Sequence, residues 1–221
     1  MTLQGASAFA SWSGGKDSCL ALHRALAGGR PVSALFCMLH EEGNYSRSHG
    51  VPRELLAAQA KALGLPICFG SATWEGYEQA FKEEVRSMRA RGVAAGVFGD
   101  IDLAEHRAWV ERVCGELDIE PLLPLWGEDH RNLVTEFINL GYQALIVSVR
   151  MEYLSREWLG RTLTLSSLRE LEAAGVDPCG EGGEYHTFVF SGPLFAHPVD
   201  LVTGGVAERD GHLQLEISPP Y

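Results

Sequence analysis

Ser13-Gly14-Gly15-Lys16-Asp17-Ser18 decides the reading of this chain. The string follows an apolar run, Ala6 to Trp12, and opens a helical pattern over Lys16–Ala27. A strand that feeds a Gly-rich turn into a helix makes an anion cradle. Backbone N–H groups converge on the turn, and the helix N-terminus adds partial positive charge. The two glycines let the backbone approach an anion without an intervening Cβ. Ser13 and Ser18 add hydroxyl donors, and Lys16 adds a mobile charge. The spacing is not that of the common P-loop, because Gly-x-x-x-x-Gly-Lys-Ser/Thr does not fit.

Outward from this turn, strand-like runs alternate with helical patterns, which predicts an α/β fold with a parallel sheet. Expected strands are Ala6–Trp12, Val32–Leu39, Pro66–Phe69 and Ala94–Gly99. Expected helices are Lys16–Ala27, one that begins at Pro52 and stops at Gly64, Trp74–Arg91 and Leu103–Leu117. The pattern changes after Pro121–Trp126. Helices are expected over Asn132–Leu140, Tyr153–Leu159 and Leu165–Ala174, with a buried strand at Gln143–Val149. The tail reads as β structure, Thr187–Phe190 and then Gly205–Ile217, with an Asp210-Gly211 hairpin turn. A boundary near Trp126 divides residues 1–126, the nucleotide-binding domain, from a smaller C-terminal α+β lobe over 127–221 that closes the site.

The chain has 221 residues, enough for a full core. With 18 basic and 29 acidic residues the formal net charge is −11, which argues against broad binding to nucleic acid or an anionic membrane. No apolar run reaches the ~20 residues that span a bilayer, and no charged-then-apolar leader pattern follows Met1. A cytoplasmic protein is expected. Cys19, Cys37, Cys68, Cys114 and Cys179 are scattered and contain no C-x-x-C, so they read as reduced core residues rather than a disulfide framework or zinc site.

Glu181-Gly182-Gly183-Glu184-Tyr185 is the second unusual string. Two acids flank a glycine pair just before a strand. Such carboxylates can hold a cation, hold Mg2+, position ammonia for attack, or form a solvated acidic turn.

The first string resembles the SGGxDS loop of the ATP-pyrophosphatase (PP-loop) superfamily. Together with Cys179-Gly180-Glu181-Gly182-Gly183-Glu184-Tyr185-His186-Thr187 it is similar to the diphthine–ammonia ligase family, or diphthamide synthase domain family. Gly99-Asp100-Ile101, His106-Arg107, Trp109-Val110-Glu111, Pro121 through Trp126, Trp158-Leu159-Gly160-Arg161 and His49-Gly50-Val51-Pro52 extend the likeness over nearly the whole chain. One departure is His186, where the family motif often has an acid after the Tyr.

The resemblance implies a three-layer, parallel-sheet nucleotide-binding domain of the HUP (adenine nucleotide alpha hydrolase-like) kind. It implies an AMP-forming, ATP-dependent ligase: diphthine, ATP and ammonia give diphthamide, AMP and pyrophosphate through an adenylylated carboxylate. Elongation factor 2 bearing diphthine would be the protein partner, and free ammonium the nitrogen donor. The alternatives are another acceptor, either a bacterial small-molecule carboxylate or a tRNA undergoing modification, and a non-enzymatic ATP-binding sensor.

On this reading Ser13, Gly14, Gly15, Lys16, Asp17, Ser18 and Asp100 bind ATP, with Asp17 and Asp100 contacting Mg2+. Lys16, Asp17, Glu181 and Glu184 are the catalytic candidates, the two glutamates binding ammonium or the trimethylammonium of diphthine. His49, His106, Gly182, Gly183 and Tyr185 are the substrate-binding candidates. Tyr185, Trp126 and Trp158 are candidates for cation–π contact, and Cys37–His40 for the adenine. A homodimer is a further expectation.

Overall fold

The computed structural model describes residues 7–47, 49–209 and 211–220. The expected start of the first strand at Ala6 and the Asp210 corner of the predicted hairpin lie outside the described residues.

The chain packs as two units that interleave along the sequence. One comprises the residues up to Ser13, Asp17–Arg47 and Leu65–Gly127. The other comprises Gly14–Lys16, the segment that ends at Gly64, and the chain from Glu128 onward.

The first unit is built on β1 (Ser7–Ser11), β2 (Val32–Leu39), β3 (Ile67–Ser71), β4 (Val93–Val97) and β5 (Glu120–Leu122). All pairs are parallel, in the order β3-β2-β1-β4-β5. Helices α1 (Lys16–Ala27), α3 (Tyr77–Ala90) and α4 (Ala104–Glu116) connect these strands. Side chains alternate along β1, so Phe9 faces one side while Ala8 and Ala10 face the other. Phe9 packs with Phe36, Phe81, Val85, Met88, Phe98, Val110 and Val113, which seats α3 and α4 on that face. Phe9 meets the Phe36, Phe81 and Phe98 rings at 5.8–6.2 Å, edge to face. Each fully buried Phe contributes about 1.5–3 kcal/mol from removal of apolar surface.

The second unit holds an antiparallel sheet of order β7-β6-β9-β8. Its strands are β6 (Gln143–Arg150), β7 (Tyr185–Ser191), β8 (Val202–Arg209) and β9 (His212–Ser218). Its helices are α2 (Arg53–Leu63), α5 (His130–Asn139) and α6 (Leu165–Ala173). Gly64, at φ 68°, ends α2 in the left-handed conformation that the sequence anticipates at this stop. The Asp129 side chain accepts from the Asn132 N–H and caps α5, and Thr164 with Ser167 forms a capping box on α6.

The predicted helix over Tyr153–Leu159 is reduced to one 3-10 turn, Arg156–Trp158. Just beyond that turn the chain runs back along β6. Gly160 N–H donates to the Ile146 carbonyl, Ile146 N–H to Arg161, and Leu163 N–H to Ala144, each at 2.9 Å. A short extended segment beside a strand outcompetes a helix too short to nucleate on its own.

Candidate functional site

In a parallel sheet of this kind, ligands bind beyond the carboxyl ends of the strands, where the strand order reverses. That point is β1 and β4, neighbours in space but not in sequence. The segments leaving the two strands carry Ser13–Ser18 and Asp100.

Within the first unit the turn is tied to itself. The Ser13 and Ser18 hydroxyls lie 3.1 Å apart, and Ser13 N–H points at Ser18 Oγ at 3.4 Å. Asp17 occupies the first turn of α1. Burial pushes the Asp100 carboxyl up, the His106 imidazole at 3.3 Å works against this, and the Asp17 charge adds to the rise. The Asp17 charge is thus felt at a partly desolvated Asp100, a repulsion that a divalent cation would relieve. Among the described residues no three His, Cys, Asp or Glu side chains cluster as a metal site. Mg2+ held by one or two carboxylates and substrate phosphates requires no such cluster, so the donors present fit it.

Tyr77 and Arg47 are residues that the sequence reading did not select. Burial, with the charges of Cys37 and Asp100, pushes the Tyr77 hydroxyl up to about 12, while Arg47 opposes the rise. Burial likewise pushes the Cys37 thiol up to about 12. Tyr77 therefore stands near the carboxyl ends of both β2 and β4.

The second unit holds Gly14, Gly15 and Lys16 against the edge of β7. The Gly14 carbonyl accepts from Val189 N–H at 2.9 Å and from Gln59 Nε2 at 3.0 Å. Gly14 has φ +83°, where an L side chain is strained. A Cβ on Gly15 would lie 2.4 Å from His49 Cε1. The Thr187 hydroxyl accepts the Lys16 N–H at 3.1 Å, and His49 Nδ1 donates to the Thr187 carbonyl at 3.0 Å. Lys16 is 4% exposed; its ammonium donates to the Cys179 carbonyl and lies 5.0 Å from the Tyr185 ring centre.

The acidic string begins in a pinned loop. Asp177 accepts from Glu181 N–H at 2.8 Å and Cys179 N–H at 3.2 Å, and lies 2.6 Å from His130 Nδ1. Burial would raise Asp177, yet His130 and the two backbone donors outweigh it and hold the carboxyl below its ordinary range. Gly180 to Gly183 turn, and Glu184 leads into β7 with its carbonyl accepting from Arg150 N–H at 2.9 Å. The Glu184 carboxylate folds over Gly182, whose ideal Cβ would stand 3.0 Å from Oε1. Glu184 Oε2 is buried with no hydrogen-bond partner among the described residues.

The structure thus gathers Lys16, His49, Gly182, Gly183, Glu184 and Tyr185 in the second unit, and Ser13, Asp17, Ser18, Asp100 and His106 in the first. The three aromatic candidates each present a ring face to a cation of the chain itself: Tyr185 to Lys16, Trp126 to Arg107 at 4.9 Å, and Trp158 to Arg161 at 4.1 Å. Gln59, Thr187 and Asp177 are organising residues that the sequence reading missed. Gln59 had a visible signal, since it interrupts the buried Leu55, Leu56, Ala60, Ala62 stripe of α2. Thr187 and Asp177 had none, because their partners are distant in sequence or sit in an irregular loop.

Comparison with known proteins bears on this arrangement. The family model described as the diphthamide synthase N-terminal domain matches residues 6–121, and that of the C-terminal domain matches 129–215. A diphthine–ammonia ligase of Danio rerio is 31% identical over 211 residues, covering 83% of this chain and 81% of that protein. The diphthine–ammonia ligase of Rattus norvegicus is 31% identical over 222 residues, covering 86% and 81%. That of Homo sapiens is 29% identical over 213 residues, covering 83% and 78%. A solved chain titled a predicted subunit of tRNA methyltransferase from Methanocaldococcus jannaschii shares 14% identity with a TM-score of 0.42, covering 83% of this chain and 96% of that one, a likeness too low to carry an argument.

Proposed function

Because the chain belongs to the diphthamide synthase family, we propose that it is an ATP-dependent, AMP-forming ligase that converts the carboxylate of diphthine to the amide of diphthamide. The observation that carries the residue-level reading is the Ser13–Ser18 turn, which leaves β1 at the point where the strand order reverses, beside the segment bearing Asp100.

On this reading Ser13, Gly14, Gly15 and Ser18 grip the β,γ-pyrophosphate through backbone N–H groups and hydroxyls. Lys16 offsets charge on the leaving pyrophosphate. Asp17 and Asp100 would hold Mg2+, which when bound neutralises phosphate charge. The substrate carboxylate attacks the α-phosphorus, and pyrophosphate leaves. Ammonium gives a proton to the Glu181 or Glu184 carboxylate, the ammonia so formed attacks the acyl carbon and sheds a second proton to solvent, and AMP leaves with the C–O electron pair. Positioning and charge stabilisation provide most of the rate in such chemistry. Glu181 and Glu184 supply negative charge for ammonium. His49, His106 and Tyr185 order the loops that meet the substrate. The protein partner would be elongation factor 2 bearing diphthine, and the working compartment the cytoplasm. Among the described residues no helix is long and apolar enough to cross a membrane.

The test is nucleotide product analysis with ATP, Mg2+ and ammonium, with and without diphthine-bearing elongation factor 2. AMP and pyrophosphate that appear only with the factor, with its acid-to-amide mass change, support the reading. AMP made independently of the factor keeps the adenylylation and replaces the acceptor. ATP bound intact under every condition overturns the ligase reading.

A further inference from the structure

The sheet of the second unit carries a polar face. Ser148 on β6 stands opposite His186 on β7 and opposite Gln214 on β9. Directly opposed residues share a face, as do positions two apart along one strand. Glu184, His186, Ser148, Arg150, His212 and Gln214 therefore line one side. Two atoms there are buried without a hydrogen-bond partner among the described residues: Glu184 Oε2, and Ser148 Oγ on a residue 1% exposed. A sheet needs neither, and each destabilises the fold while unsatisfied.

The neighbouring imidazoles have settled roles. His49 donates through Nδ1 to the Thr187 carbonyl, and His212 through Nε2 to the Gly183 carbonyl at 3.1 Å. Their rings lie 4.6 Å and 6.2 Å from that of His186. No hydrogen bond reaches the His186 ring from any described residue.

We propose that Ser148, Glu184 and His186 together form a binding site for an ammonium ion. The inference rests on the ligase reading above and deepens it by naming the nitrogen donor's site. The three groups offer a carboxylate oxygen, a hydroxyl oxygen and an imidazole lone pair, all acceptors for N–H donors. A trimethylammonium group carries no N–H and would leave the hydroxyl and the carboxylate oxygen unsatisfied. Burial, with the positive charges of His49, Lys16 and His212, holds His186 well below its ordinary range, so its ring is neutral and accepts rather than repels a cation. Glu184 and Arg150 face the same space, and Arg150 Nη1 is turned toward the Gly182 carbonyl at 3.4 Å.

The experiment has two arms. The first follows the His186 ring resonances by NMR during titration with ammonium chloride, against tetramethylammonium chloride at equal ionic strength. Ammonium shifts them in the wild type, S148A needs about tenfold more ammonium for the same shift, and tetramethylammonium shifts them in neither. The S148A variant folds, because it removes an unsatisfied hydroxyl. Equal responses to both cations, or to neither, overturn the proposal whatever the enzyme does. The second arm measures amide formation against ammonium. S148A raises the ammonium KM about tenfold or more and leaves the ATP KM in place, the scale of one hydrogen bond to a charged group. H186E, which keeps an acceptor, retains the wild-type ammonium KM, while H186K raises it beyond S148A. An unchanged ammonium KM in both S148A and H186K overturns the site. A wild type that answers ammonium by NMR yet makes no AMP overturns the ligase reading and leaves the site standing.

Discussion

The His49 imidazole occupies the space that a β-carbon on Gly15 would need, its Cε1 2.4 Å from that position. The same ring donates to the Thr187 carbonyl, whose residue in turn accepts the Lys16 N–H through its hydroxyl. One histidine thus gauges how closely the turn can approach the edge of β7.

Gly15→Ala is therefore expected to displace the turn and abolish AMP formation. In a His49→Ala background part of the clash is relieved, so the two substitutions are not additive. A double-mutant cycle on stability should return a coupling of about 0.5–3 kcal/mol, the range for residues in contact. Additive effects would remove His49 from this role.

Gln59→Leu should destabilise the protein by about 1–3 kcal/mol, because the Gly14 and Val189 carbonyls each lose a buried donor. Urea unfolding measures this directly. Nucleotide affinity should fall as well, since Gly14 sits at φ +83° in the turn that Gln59 braces.

Asp100→Asn should separate stability from function. The folded-state carboxyl is raised, so the charged form is disfavoured and its penalty is present at neutral pH. The sign is that stability from this group falls as pH rises through the unfolded value and on past the folded one. The amide removes the penalty, so the apoprotein should melt higher while Mg2+-dependent ATP binding weakens. Thermal melts and calorimetry with and without Mg2+ would show the two changes moving oppositely.

Asp177→Asn should loosen the loop that presents Glu181. The Asp177 carboxyl is held low, so its stabilisation is present above the unfolded value of about 3.9 and is lost as pH falls through the lower folded value. Hydrogen exchange at the Glu181 and Cys179 amides should accelerate in the variant at neutral pH. In the wild type the same acceleration should appear only in acid. Equal protection in both proteins would sink the assignment.

Much of this architecture was legible in the chain. The 13–18 turn, the alternation of strands and helices and the Gly64 stop rest on local chemistry, namely glycine freedom, capping and periodicity. The helix expected at Tyr153–Leu159 was misread because its apolar and aromatic residues suit a helix, while the chain that follows, Gly160 to Leu163, bonds to β6, a partner invisible to local pattern. Ser148 looked like one more residue of a buried strand. Its unsatisfied hydroxyl appears only when β6, β7 and β9 are aligned.

By itself the sequence determined which residue types stand together: a Gly-rich turn that opens a helix, acids flanking a glycine pair, and a parallel sheet beneath the first. Those properties depend on side-chain identity and short-range geometry. Tertiary structure alone decided which groups meet. It set Lys16 on the Cys179 carbonyl, His49 over Gly15, and Ser148 opposite His186, two residues along from Glu184. The first of these spans 163 residues, and all of them form only when tertiary packing brings distant segments together. Burial then changes what each group can do, leaving a neutral imidazole and two unsatisfied oxygens where the sequence shows only polar residues.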